Sequence, residues 1–138
     1  MHLRNLTIFC GLTLSSSLAT AQCDNPVWSA QFATPATGLP YLTTSMAVFD
    51  PDGPGPQPSE LYVAGMFASA GSVPGTRGIA RWNGNSWASV GGGLTGSSMI
   101  GTIGDFDPDG PGPALPVLVA VGSFLSIGGV AAQRVAIG

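Results

Sequence analysis

The chain of 138 residues has no lysine, one histidine (His2) and two cysteines (Cys10 and Cys23). Charged residues make up 8% of it, against roughly 25% in an average soluble domain. So little charge, with four arginines against seven acids, excludes a basic nucleic-acid-binding surface, a helical bundle and a coiled coil. It also excludes ordinary solvated disorder, because 44% of the residues are apolar. No stretch approaches the roughly 20 consecutive apolar residues of a membrane-spanning helix. What the chain does contain is 21 glycines and 12 prolines, the composition of a turn-rich β protein.

The N-terminus reads as an export signal. Met1 to Asn5 carries Arg4, Leu6 to Leu14 is a short apolar run, and Ala19-Thr20-Ala21 is a small–x–small site, which predicts cleavage after Ala21. Gln22 argues against a lipid-anchored start at Cys23. Removing 21 of the 138 residues leaves 117, with three arginines, seven acids and a net charge of -4. His2 and Cys10 leave with the signal, so Cys23 has no intramolecular disulfide partner.

The remainder is a repeat. Phe49-Asp50-Pro51-Asp52-Gly53-Pro54-Gly55-Pro56 recurs as Phe106-Asp107-Pro108-Asp109-Gly110-Pro111-Gly112-Pro113, an offset of 57 residues. Leu61, Gly65, Phe67, Ser69, Gly71 and Val73 fall on Leu118, Gly122, Phe124, Ser126, Gly128 and Val130 at that offset, and Arg77 on Arg134. Trp28-Ser29 answers Trp87-Ala88 with the spacing changed by two residues. Strands are predicted over 46–49, 61–67, 78–82 and 87–90, the last two joined through Asn83-Gly84-Asn85-Ser86. Asp50-Pro51-Asp52-Gly53 has the residue types of a type I turn. The prolines after it cannot donate to a ladder and keep the loop out of the sheet. Gly65 and Gly122 predict a bulge or a close backbone approach.

Four short strands in just under 60 residues is the pattern of a propeller blade. Leu61-Tyr62-Val63-Ala64-Gly65-Met66-Phe67, Ile79-Ala80-Arg81-Trp82-Asn83-Gly84 and Trp87 to Leu94 resemble the units of secreted bacterial β-propeller-type repeat proteins. Those units are similar to Kelch and galactose-oxidase central-domain repeats. The resemblance implies an all-β fold of antiparallel four-stranded blade-like repeats, an incomplete β-propeller, and says little about chemistry. The expected organisation is a signal peptide (1–21), an N-terminal strand segment (22–45), a first repeat (46–102) and a truncated second repeat (103–138). About two blades would leave two open apolar faces, so the chain is expected to be a piece of a longer protein or to self-associate through those faces.

Few residues offer chemistry. Trp82 and Trp87 should pair across their loop, as blade packing or as a stacking platform for sugars. Asp105-Phe106-Asp107-Pro108-Asp109-Gly110 matches the start of a calcium loop, but no acid follows it, and Val48 replaces Asp105 in the first copy. Turn chemistry is the favoured reading, and no metal or cofactor site is assigned. Without histidine or lysine after the signal, no Ser–His–Asp triad, Cys–His pair or His-bound metal can be built. Glu60, which is Val117 in the second copy, reads as a solvated edge residue, and Arg77 and Arg134 as structural. The expectation is an exported, non-enzymatic scaffold with an unknown protein or carbohydrate partner, no nucleic acid and no membrane span after signal removal. The alternative is a fragment of a secreted propeller hydrolase, lyase or oxidase whose catalytic residues lie elsewhere.

Overall fold

A computed structural model describes residues 28–138. The predicted signal, its cleavage site and Cys23 lie outside the described residues. The fold is all-β, with one 3-10 turn at Ala30–Phe32.

Four antiparallel strands form the first sheet in sequence order: β1 (Thr43–Phe49), β2 (Glu60–Gly65), β3 (Ile79–Trp82) and β4 (Trp87–Ser89). The second sheet has three: β5 (Met99–Phe106), β6 (Val117–Ser123) and β9 (Val135–Ile137). Between β6 and β9 the chain makes a two-stranded ribbon, β7 (Ser126–Ile127) with β8 (Val130–Ala131). β1 and β5 each begin three to four residues before the expected repeat boundaries of 46 and 103. The expected N-terminal strand segment enters a strand only at Thr43; around Trp28 it carries the 3-10 turn instead.

The repeat is legible bond by bond. The Asp52 N–H donates to Asp50 Oδ1 at 3.3 Å, and the Asp109 N–H to Asp107 Oδ1 at 3.2 Å. A second turn follows in each loop, from the Gly55 N–H to the Asp52 carbonyl and from the Gly112 N–H to the Asp109 carbonyl. Register shifts fall between Thr43 and Ser45 and between Ile100 and Thr102, opposite Gly65 and Gly122. A Cβ at either glycine would overlap the carbonyl of Leu42 or of Met99, so both predicted close approaches exist, with the bulge on the partner strand.

One alignment needs correcting. The Gly65 N–H donates to the Gly78 carbonyl, and the Gly122 N–H to the Arg134 carbonyl. In the reverse direction the Gly78 N–H bonds the Phe67 carbonyl, and the Arg134 N–H the Phe124 carbonyl. Arg134 is therefore the counterpart of Gly78, not of Arg77. One residue fewer between Phe124 and β9 shortens the offset to 56, which the run of identities could not reveal. Both residues have positive φ, 71° at Gly78 and 69° at Arg134, the latter being the one non-glycine in that region among the described residues.

The sheets stack face to opposite face. Phe49, Tyr62, Ala64 and Ile79 of the first sheet pack with Ile100, Ile103, Leu118, Ala120 and Phe124 of the second. Thr44 Oγ1 donates to the Ile100 carbonyl at 2.6 Å, and Ser45 Oγ accepts from the Ile103 N–H at 3.2 Å, tying β1 to β5. Leu118, Ala120 and Phe124 of this core are the counterparts of Leu61, Val63 and Phe67, which lie on the other face of the first sheet. There Val63, Phe67, Ala70 and Ala80 make a second core with Leu39, Leu61 and Trp87. Two open faces were expected. Residues 32–39 cover part of one, because Phe32 and Leu39 fold onto it, and the other remains on the second sheet. Among the described residues no helix is long and apolar enough to cross a membrane.

Candidate functional site

The densest concentration of distinctive side chains lies at the outer edge of the first sheet. The β3–β4 hairpin sets Trp82 opposite Trp87. Its loop is held by Asn83 Oδ1, which accepts from the N–H groups of Asn85 (2.9 Å) and Ser86 (2.8 Å). The two indoles are 5.1 Å apart at 59°, as the loop length predicted. Phe32, unforeseen from the sequence, joins edge-on to Trp82 at 4.9 Å and tilted to Trp87 at 5.7 Å. Trp87 Nε1 donates to the Thr37 carbonyl at 2.7 Å. The rings cover one another and clasp residues 32–37, so they do not form one flat platform. A groove of about 340 Å³ beside them is edged by Gln31, Thr37, Asn85 and Ser86. These side chains can exchange hydrogen bonds with a neutral polar ligand.

The acidic loops are internally engaged. Asp50 accepts from the Asp52 N–H and from Ser59 Oγ at 3.4 Å, and Asp52 Oδ2 accepts from the Gln57 N–H at 3.1 Å. In the second copy Asp109 Oδ2 accepts from the Ala114 N–H at 3.1 Å. Asp105 is not part of that loop; it stands on β5 opposite Leu118. Among the described residues no cluster of three His, Cys, Asp or Glu side chains could hold a metal ion.

Glu60 is not a solvated edge residue. It opens β2 and meets Arg81 Nη1 at 2.6 Å, its side chain only 14% exposed. Glu60 and Tyr62 share one face of β2, and Arg81 lies opposite Tyr62 on β3, so the diagonal brings acid and guanidinium together. Burial, chiefly, pushes the Tyr62 hydroxyl above its ordinary pKa, and the hydrogen bond to Glu60 raises that of Arg81. The trio is a locked polar contact, not a free acid–base pair. Register could have exposed it, since Tyr62 and Arg81 are both legible as strand residues. Thr76, fully buried, likewise escaped notice: its Oγ1 accepts from the Ala70 N–H and donates to the Val73 carbonyl, each at 2.7 Å.

Arg77 and Arg134 act through their main chains. The Arg77 carbonyl accepts from the Leu94 N–H at 2.8 Å, and Arg134 takes the bonds to β6 and Phe124 described above. Compared with known proteins, the chain matches no family model, no curated protein and no solved structure.

Proposed function

We propose that the chain is an exported, non-enzymatic repeat scaffold of the β-propeller type, which binds a protein or carbohydrate partner through its loop ends. The observation that carries this reading is the stacking of like sheets, one face of the first on the opposite face of the second. Such a head-to-tail relation, unlike a two-fold sandwich, can be repeated and generates rings when the rotation closes. The engaged carboxylates of Asp50, Asp52 and Asp109 and the Glu60–Arg81 pair support binding rather than catalysis. Both Pro-rich loops, 50–59 and 107–116, leave corresponding ends of the two sheets and are stiffened by their own Asx bonds. Their carboxylates accept from the loops' own N–H groups, and the Gly- and Pro-rich surfaces that remain suit partners recognised by shape. The export reading rests on residues 1–21.

The test is binding of the secreted chain to an immobilised panel of glycans and envelope proteins, with turnover assays on the same glycans. Retention that is lost when both loops are replaced by Asn-Gly turns supports the scaffold. Turnover of any glycan by the purified chain overturns it in favour of an enzyme.

A further inference from the structure

Charge in this molecule is sorted by strand direction. Antiparallel order puts the loops 50–59, 83–86 and 107–116 at one end of the sheets and the connections 66–78, 90–98 and 124–134 at the other. The six acids among the described residues, Asp50, Asp52, Glu60, Asp105, Asp107 and Asp109, lie in the first-end loops or within two residues of them. The second end carries Arg77 and Arg134 and no acid among the described residues. Strands of six to eight residues separate the two ends, by roughly 20 Å at about 3.3 Å per residue, well beyond the screening length at physiological salt. At the second end, where the first sheet meets the second, lies a cleft of about 320 Å³. Arg77 and Met66 edge it from the first sheet's β2–β3 connection, Ser97, Ser98 and Met99 from the link into the second sheet, and Ser123 from the end of β6.

Main-chain bonds fix the rim of this cleft. The Arg77 carbonyl accepts from the Leu94 N–H at 2.8 Å, and the Gly93 carbonyl from the Gly128 N–H at 3.0 Å, which joins all three connections. A Cβ at Gly93 would overlap the Arg77 backbone, so the two segments are in close contact. The Arg77 backbone is therefore held, while its exposed guanidinium has no ion-pair partner among the described residues. Ser98 Oγ donates to the Thr95 carbonyl at 2.9 Å, which leaves its oxygen to accept. We propose that the cleft binds a carboxylate-bearing sugar, a uronic acid. The planar guanidinium takes the carboxylate in a forked pair. The serine hydroxyls exchange hydrogen bonds with the ring hydroxyls, and the Met66 and Met99 side chains cover the ring's C–H face. One guanidinium balances a singly charged carboxylate rather than a doubly charged phosphate. The volume is at the lower end of the roughly 300–1,000 Å³ of ligand pockets, the space of a sugar unit rather than of a length of peptide. The proposal rests on this cleft and not on binding by the Pro-rich loops, which lie at the opposite end.

The experiment titrates the isotope-labelled full chain with digalacturonate and follows its amide resonances. Those of Arg77, Ser97, Ser98 and Ser123 should shift saturably. Affinity should fall by about tenfold or more for the dimethyl ester of the same sugar, which keeps the shape without the charge. Arg77→Gln should lose a similar factor and still fold, because the bonds that hold this position are main-chain. Arg77→Lys should recover part of the loss. Arg134→Gln, at the same end but outside the cleft, should change it little. Replacing both Pro-rich loops by Asn-Gly turns should leave the titration unaltered, so this site and the loop-binding reading fail separately. The proposal is overturned by an absence of saturable shifts, or by an ester that binds as tightly as the acid. A loss in Arg134→Gln equal to that in Arg77→Gln, or a glutamate-containing peptide that binds the same residues more tightly than the sugar, would overturn it as well.

Discussion

The two sheets place related residues in different surroundings. Phe49 is 7% exposed and its counterpart Phe106 is 54%; Ile79 is 1% exposed and its counterpart Val135 is 51%. The strand pairing, the register shifts and the Asx-bonded loops are the same in both. What differs is the neighbour. The first sheet has the second on one side and residues 32–39 on part of the other, while among the described residues the second sheet is covered on one side only. Local sequence therefore sets the sheet, and stacking sets which apolar residues leave water. The face carrying Phe106, Val121, Val135 and Ile137 is an exposed apolar patch of the kind that marks an interface.

The largest expected effect probes what the sheets share. Phe67 and Phe124 are equivalent and nearly inaccessible, so Phe67→Ala and Phe124→Ala should each cost about 3–5 kcal/mol. Urea unfolding would measure both. A much smaller cost at Phe124 would show that the second sheet opens independently of the first.

Next comes the polar contact that only the first sheet has. Glu60→Gln should cost about 1 kcal/mol, because Arg81 is over a third exposed and water compensates part of the loss. A chemical melt that does not move would show that the pair is fully screened. A smaller effect, of opposite sign, is expected where the second sheet carries a strained residue in place of a glycine. A left-handed conformation costs a non-glycine residue roughly 1–2 kcal/mol, and glycine forfeits roughly 0.5–1 kcal/mol of chain entropy. Arg134→Gly should therefore stabilise by about 0.5 kcal/mol, and Gly78→Arg should destabilise. A loss of stability in Arg134→Gly would mean that the arginine side chain contributes more than its backbone costs.

The subtlest difference is at Tyr62, which is Val119 in the second sheet. Burial favours the neutral phenol, so its folded pKa lies above the ordinary value of about 10. The associated stability is complete below about pH 10 and is lost as the pH rises through the raised value. Tyr62→Phe should flatten the alkaline end of the stability profile, and an unchanged profile would remove Tyr62 as its cause.

Much of this was legible because it is local. The Phe-Asp-Pro-Asp-Gly-Pro-Gly-Pro loop, the Asn-Gly hairpin and the interrupting glycines act within a few residues, and each took its expected place. Glu60 was misread because its partner lies 21 residues away across a strand pair. Arg134 was misaligned because its equivalence rests on main-chain bonds rather than on side-chain identity. Phe32 went unseen because its aromatic partners are some 50 residues distant.

By itself the sequence determined the all-β class, the period of the repeat, the strand pairs and the turns. Backbone preferences, proline's missing N–H and short loops specify these before any sheet meets another. Only the tertiary structure decided which face of each sheet is buried, and that Phe32 and Leu39 fold onto the second face of the first sheet. Every apolar strand face competes for the same cover, and the composition of a strand does not say which neighbour will supply it.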